Sequence, residues 1–242
     1  MPRVTHVKSA RKDNPACKKG ESYYWWKFRY GSKHYSLTYP KASQLTQSEK
    51  LSAIYSAGES IEASPSGWGE PSTPEELEQI IGEINQTAEI IKDAAEQIRE
   101  AGEGYRESAQ NIEDGFGHRT EKCDELDERA DQCDNTADEL ESFGDEVETA
   151  ASDLESAEVE DEVDEPTEPT EPKRADFEEE DDFDEAVDEY NTEFADYEEL
   201  LQAFENAVDG YSEETLEEIE VAISEADAAR DNAINEYGNA IG

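Results

Sequence analysis

The sequence predicts a mainly α chain with a small β-hairpin at its N-terminus, and three observations carry that expectation. Residues 21–40 read ESYYWWKFRYGSKHYSLTYP, two aromatic and β-branched runs around Gly31-Ser32. Residues 73–156 carry apolar residues at heptad spacing for eleven repeats, and residues 183–237 resume a helical period after an acidic, proline-punctuated gap. Four segments follow: a basic aromatic head (1–64), a coiled-coil helical hairpin (73–156), an acidic linker (157–182) and a C-terminal helical hairpin (183–242).

Charge divides the chain more sharply than any motif. The whole has 20 basic and 66 acidic residues, a net charge of -46. Residues 1–50 hold 11 bases and three acids (Asp13, Glu21, Glu49), a net +8, which leaves -54 on the other 192 residues. Such asymmetry suggests one surface that meets a polyanion and another that does not. The acidity itself suits a salt-rich cytoplasm or a mimic of the nucleic-acid backbone.

In the head, a Gly-first two-residue loop suits a type II′ turn. It pairs Tyr30 with Lys33, Phe28 with Tyr35, Trp26 with Leu37 and Tyr24 with Tyr39, an apolar face to bury. The opposite face carries Tyr23, Trp25 with Thr38, Lys27 with Ser36, and Arg29 with His34. Thr46-Gln47-Ser48-Glu49 reads as a capping box, with Thr46 as N-cap of a helix running to about Ile61. That helix, with Leu51, Ile54, Tyr55 and Ile61 on one side, is expected to cover Tyr24, Trp26 and Phe28. Residues 63–73 form a linker by composition.

The cationic, aromatic face is the candidate site. Lys and Arg bind phosphates and exposed rings stack on bases. Tyr23, Trp25, Lys27, Arg29, Lys33 and His34 are its members, and Arg11, Lys12, Lys18 and Lys19 on the preceding arm add charge. The competing reading is that these groups meet a protein partner or the chain's own acids.

Thr73-Pro74-Glu75-Glu76 starts the long helix, with Thr73 as N-cap and Pro74 at N1. One heptad column is mostly large (Leu77, Ile84, Ile91, Ile98, Tyr105, Ile112, then Leu126, Cys133, Leu140, Val147, Leu154) and the other mostly small (Ile81, Ala88, Ala95, Gly102, Ala109, Phe116, Cys123, Ala130, Ala137, Gly144, Ala151). Arg119 interrupts the first column within DGFGHRTEK, which predicts an antiparallel hairpin with its tip near 115–119. The rival is one unbroken helix that dimerises. Cys123 and Cys133 fall in the seam as small hydrophobes.

Further on, Phe183, Val187, Tyr190, Phe194, Tyr197, Leu201, Phe204 and Val208 make a second heptad ended by Gly210. Ser212 is the expected cap of a last helix with Leu216, Ile219, Ile223, Ala226, Ala233 and Tyr237 on one face. The carboxylates nominate no catalytic pair, no nucleotide, metal or nucleophile motif is present, and no cofactor is expected. The reading is non-enzymatic. No apolar run follows the basic N-terminus and none reaches ~20 residues, so neither a signal peptide nor a membrane span is expected. A cytoplasmic setting is expected.

Tyr23–Gly31 (YYWWKFRYG) and Ser43–Glu49 (SQLTQSE), with Gly115-Phe116-Gly117-His118 further on, resemble a head found ahead of acidic coiled-coil sequence in proteins of tailed phages and related viruses. The resemblance covers about a quarter of the chain. It implies a viral or prophage origin and carries over no activity and no functional residue. Three roles then compete: nucleic-acid binding by the head with the helices as spacer, a viral scaffold whose head docks on a viral or host protein, and an acidic decoy of the nucleic-acid backbone.

Overall fold

A computed structural model of the chain describes residues 1–71, 73–156 and 213–241, together with 167, 169, 170, 172, 186–188, 190–198 and 201. The chain is mainly α with a small N-terminal antiparallel sheet. Strands β1 (Thr5–Val7), β2 (Tyr23–Lys27) and β3 (Lys33–Ser36) precede helices α1 (Glu49–Glu62), α2 (Pro74–Phe116), α3 (Glu121–Ser156) and α4 (Glu213–Glu236). Residues 1–67, 83–150 and 225–242 form one compact unit, and residues 68–82 and 151–224 form another. Among the described residues no helix is long and apolar enough to cross a membrane.

α2 and α3 are the arms of a helical hairpin. Every member of both heptad columns from Ile84 to Ala109 and from Cys123 to Leu154 is buried. The arms are locked by a ladder of charge. Lys92 reaches Asp145 (2.7 Å) and Glu148, Arg99 reaches Asp138 (2.9 Å) and Glu141 (2.8 Å), and Arg106 reaches Asp131 (3.0 Å) and Asp134. Each step of seven up α2 is matched by seven down α3, which is the signature of an antiparallel register.

One heptad further on, α2 offers Glu113 where a cation is needed. Arg119 bends back from the tip to fill that place, meeting Asp127, Asp124 (2.9 Å) and Glu113 (3.6 Å). The residue that breaks the apolar column therefore closes the ladder. Gly117 makes the turn possible: it sits at φ +72° and donates its N–H to the Glu113 carbonyl at 2.7 Å, the left-handed helix ending for which glycine is favoured.

α1 begins two residues later than the sequence suggested. A 3₁₀ turn over Ala42–Leu45 leads into extended Thr46, whose hydroxyl accepts from the Ser48 N–H (3.1 Å). Ser48 is the N-cap, accepting from the Leu51 N–H (3.3 Å). Ile54 and Ile61 are fully buried as expected, Leu51 and Tyr55 half-buried, and Ala57 and Gly58 join the core unforeseen. The start of the helix meets α2 through Lys50, whose stem lies against Gly104 and whose ammonium stands 5.5 Å from the Tyr105 ring centroid. Lys50 Nζ donates to Ser108 Oγ (3.1 Å) at one end, and the Thr87 hydroxyl meets the Pro65 carbonyl (3.3 Å) just past the other.

The C-terminal part of α4 joins the same unit. Ala226, Ala229 and Ala233 are buried, and Glu225, Ala229 and Asn232 share a groove with Ser142, Asp145 and Thr149 of α3. Arg230 then caps α1. Its guanidinium donates to Ser64 Oγ (3.0 Å) and to the carbonyls of Glu62 (3.1 Å), Ile61 (3.4 Å) and Ser64 (3.4 Å). These are the carbonyls a helix end leaves without partners, and they carry its partial negative charge. Tyr237, on a 3₁₀ turn over Tyr237–Ile241, lays its ring on Gly58 and donates its hydroxyl to Glu62 (2.9 Å).

In the second unit Thr73 caps α2 as expected, its hydroxyl accepting from the Glu76 N–H (3.2 Å). Leu77, Leu154, Ile219 and Ile223 are buried, while Leu216, expected on that face, is 37% exposed. Residues 190–198 are helical, with the Phe194 ring between those of Tyr190 (5.7 Å) and Tyr197 (5.9 Å). Most of the 157–182 linker, Phe183, Phe204, Val208, the Gly210 helix end and the Ser212 cap lie outside the described residues.

A Cβ on Gly58 would stand 2.3 Å from Tyr237 Cε2. Gly58→Ala is thus expected to expel the ring and cost on the order of 1–3 kcal/mol in denaturant unfolding. In a Tyr237→Ala background the same change should be neutral or stabilising by up to ~1 kcal/mol, the helix-propensity gain. Equal effects in both backgrounds would remove Tyr237 from this position.

The ladder joins four cations to nine carboxylates, a local net charge of -5. Exposed pairs contribute only about 0–1 kcal/mol each, so relief of like-charge repulsion should outweigh their screening. The thermal midpoint is expected to rise between millimolar and molar salt. A midpoint that falls would make the ladder the larger effect.

Candidate nucleic-acid interface

The sheet has the order β1-β2-β3, with β2 central. β1 was not read from the sequence, where residues 1–20 were a charged arm. Its three residues pair Thr5 with Trp25, His6 with Tyr24 and Val7 with Tyr23. The β2–β3 hairpin is present, but its register differs from the expected one. Trp26 faces His34, Trp25 faces Tyr35, Tyr24 faces Ser36 and Lys27 faces Lys33.

The two-residue Gly31-Ser32 turn is replaced by a five-residue loop, 28–32, in which the Gly31 N–H donates to the Phe28 carbonyl (3.2 Å). The pairing slips by three, an odd number, so β3 presents the opposite faces. The slip gains two ring contacts. His34 stacks on Trp26 with centroids 5.4 Å apart, and Lys33 Nζ sits 4.2 Å from the Trp25 ring centroid. Cross-strand pairs of these kinds stabilise a sheet and set its register.

One face therefore holds His6, Tyr24, Trp26, His34 and Ser36. Trp26 is its buried anchor at 4% exposure, and His6 stacks on Tyr24 at 4.6 Å. His34 consequently leaves the candidate surface for the face opposite Trp25. The other face holds Tyr23, Trp25 and Tyr35, all half-buried, and Lys27 and Lys33, both exposed. Tyr23 and Tyr35 lie 6.0 Å apart at 41°. Tyr35 was assigned to the buried face by the expected register. The available clue was the odd-numbered alternative register, which sets Trp26 on His34.

Arg29 lies on the 28–32 loop over the Tyr30 ring (5.3 Å), and Tyr30 is 88% exposed. Arg11, Lys12, Lys18 and Lys19 sit at the other end of the sheet, on the β1–β2 loop. That loop is a built structure. Ala10 and Glu21 close it (2.8 Å), Gly20 donates back to Ala10 (2.9 Å), and Asn14 Oδ1 accepts from Ala16 (2.9 Å) and Cys17 (3.1 Å). Asp13 and Glu21 accept the backbone N–H groups of Lys19 and Lys18, both at 2.8 Å. Those two carboxylates thus serve the backbone of the loop that bears the cations.

The basic side chains fall into two groups, one at each end of β2. Tyr23 to Lys27 spans about 13 Å at ~3.3 Å per residue, with the rings between. Among the described residues, Arg11, Lys12, Lys18, Lys19, Lys27, Arg29 and Lys33 have no ion-pair partner. In contrast, five of the hairpin's six cations, Lys92, Arg99, Arg106, Arg119 and Lys122, are paired, Arg129 meets the Tyr105 side chain, and Lys41 reaches Glu59 at 4.0 Å. Hydrogen bonds that Lys92 donates to Asp145 and Glu148 raise its pKa above the ordinary lysine value.

Cys123 and Cys133 are fully buried free thiols, and burial pushes Cys133 up to about 11. Among the described residues no three His, Cys, Asp or Glu side chains gather in a way that would hold a metal. No protein-family model, no curated protein and no solved structure matches the chain.

The adjacent tryptophans differ in what they support. Trp26→Ala removes a buried ring and is expected to destabilise the head by about 3–5 kcal/mol. Trp25→Ala removes a half-buried ring and should cost clearly less. Chemical denaturation monitored by circular dichroism distinguishes them, and equal losses would contradict the two faces described.

Proposed function

We propose that the chain is a non-enzymatic nucleic-acid-binding protein that uses its basic aromatic head, with the acidic helices as a spacer or assembly region of coiled-coil type. The observation that carries this reading is the fate of the cations. In a chain with 66 acids, ten of the eleven head cations lack an ion-paired carboxylate among the described residues, while five of the hairpin's six are paired with its own acids and the sixth, Arg129, meets the Tyr105 side chain. Lysines and arginines left unpaired beside half-buried rings suit phosphates and bases. The resemblance of the head to phage and viral proteins supports a viral or prophage setting. Phe116, 69% exposed at the hairpin tip, favours the second reading, an interaction protein that docks on a viral or host partner.

Binding of labelled DNA and RNA oligonucleotides at graded salt tests the first reading. Lys27→Ala with Arg29→Ala should leave the fold intact, weaken binding, and make the slope of log K against log salt shallower by roughly one to two. No binding of either nucleic acid at low salt would sink the proposal in favour of protein docking.

A further inference from the structure

Resting on that reading of the head, we propose that the Trp25 face is a track for single-stranded nucleic acid running along β2, on which Lys33 moves from the Trp25 ring to a phosphate as a base takes its place. Tyr23 and Trp25 are two residues apart on one strand, about 6.6 Å at ~3.3 Å per residue. Stacked nucleotides repeat every ~3.4 Å, so a strand that places successive bases on both rings must be unstacked. A duplex hides its base faces and resists unstacking, whereas a single strand offers both. Tyr35, directly opposite Trp25, widens the platform to two strands of the sheet.

The cations complete the track. The β1–β2 loop brings Lys18 and Lys19 to the Tyr23 end, and Lys27 and Lys33 stand at the other. A strand laid along β2 therefore meets positive charge before and after the rings. Lys33 is the one cation whose position depends on the site being free. Its ammonium lies 4.2 Å from the Trp25 centroid and is exposed to solvent. An exposed cation–π contact is weaker than a stacked base together with a phosphate contact, so a bound strand displaces it. The displaced ammonium remains beside the strand on a flexible stem, within reach of a backbone phosphate.

The test uses the full chain, with oligo(dT) of about ten nucleotides and a duplex of equal length, at about 50 mM salt. The single strand should bind about tenfold tighter or better, the value of one stacked base. It should quench tryptophan fluorescence, and the quench should disappear in Trp25→Phe while circular dichroism is unchanged. Lys33→Gln should keep the quench and make the salt slope shallower by about one. A duplex that binds as tightly as the single strand, or a quench that survives Trp25→Phe, would overturn the track while leaving nucleic-acid binding in place. Binding of neither form would end both. Displacement of the oligonucleotide by polyglutamate at equal charge concentration would show an acidic-peptide surface instead.

Discussion

Scarcity of positive charge governs this molecule. With 20 basic residues against 66 acidic ones, each cation's position decides what can fold and what can bind. The hairpin spends its cations at heptad intervals, one guanidinium or ammonium to two carboxylates, so that a few basic side chains hold the two acidic arms in one register. Apolar contact alone would not choose that register as firmly, because the facing columns of Ala, Ile and Leu repeat every seven residues and tolerate a shift by one heptad. A shifted hairpin would leave Arg119 without its triad of Glu113, Asp124 and Asp127.

Arg230 answers the same scarcity differently. It is the sole basic residue beyond Arg174, and it is spent on backbone carbonyls at the end of α1 rather than on acidic neighbours, apart from exposed Asp231 at 3.3 Å. A buried guanidinium is costly unless all its donors are used. Here Nε donates to the Ser64 hydroxyl, Nη2 to the backbone carbonyls and Nη1 to Asp231, and Ser64 in turn donates to the Ile61 carbonyl at 2.7 Å. The head and the part of α4 from Glu225 onward are thereby in one packed unit, although composition had drawn boundaries between them.

What could be read from the sequence follows from period and charge. The heptad columns, the tip at residues 115–119 and the Thr73 cap rest on local spacing, and spacing is intrinsic to a helix. The sheet was legible in its existence and in the anchoring role of Trp26. Its register was not, because Gly31-Ser32 offers a plausible two-residue turn and only the pairing of rings with His34 and Lys33 favours the longer loop. β1 was hidden by its length of three residues. The Arg230 cap and the Tyr237 ring on Gly58 join residues far apart in the chain, and no periodicity announces such a contact. Of the candidate surface, Tyr23, Trp25, Lys27 and Lys33 assemble on one face, while His34 turns to the other and Arg29 leaves the strand for the loop.

The cap on α1 also has a consequence for how the protein is made. Ser64 and Arg230 are 166 residues apart. At roughly 5–20 residues per second of synthesis, the end of α1 waits on the order of ten to thirty seconds for its guanidinium. During that interval the β-sheet and its basic loop are already outside the ribosome, ahead of a helix end whose Glu62 and Ser64 carbonyls still lack the guanidinium and whose Ile61 carbonyl has only Ser64. The nascent chain thus displays its cationic end well before the unit that carries it is closed, and a polyanion encountered at that stage meets a looser head than the finished one.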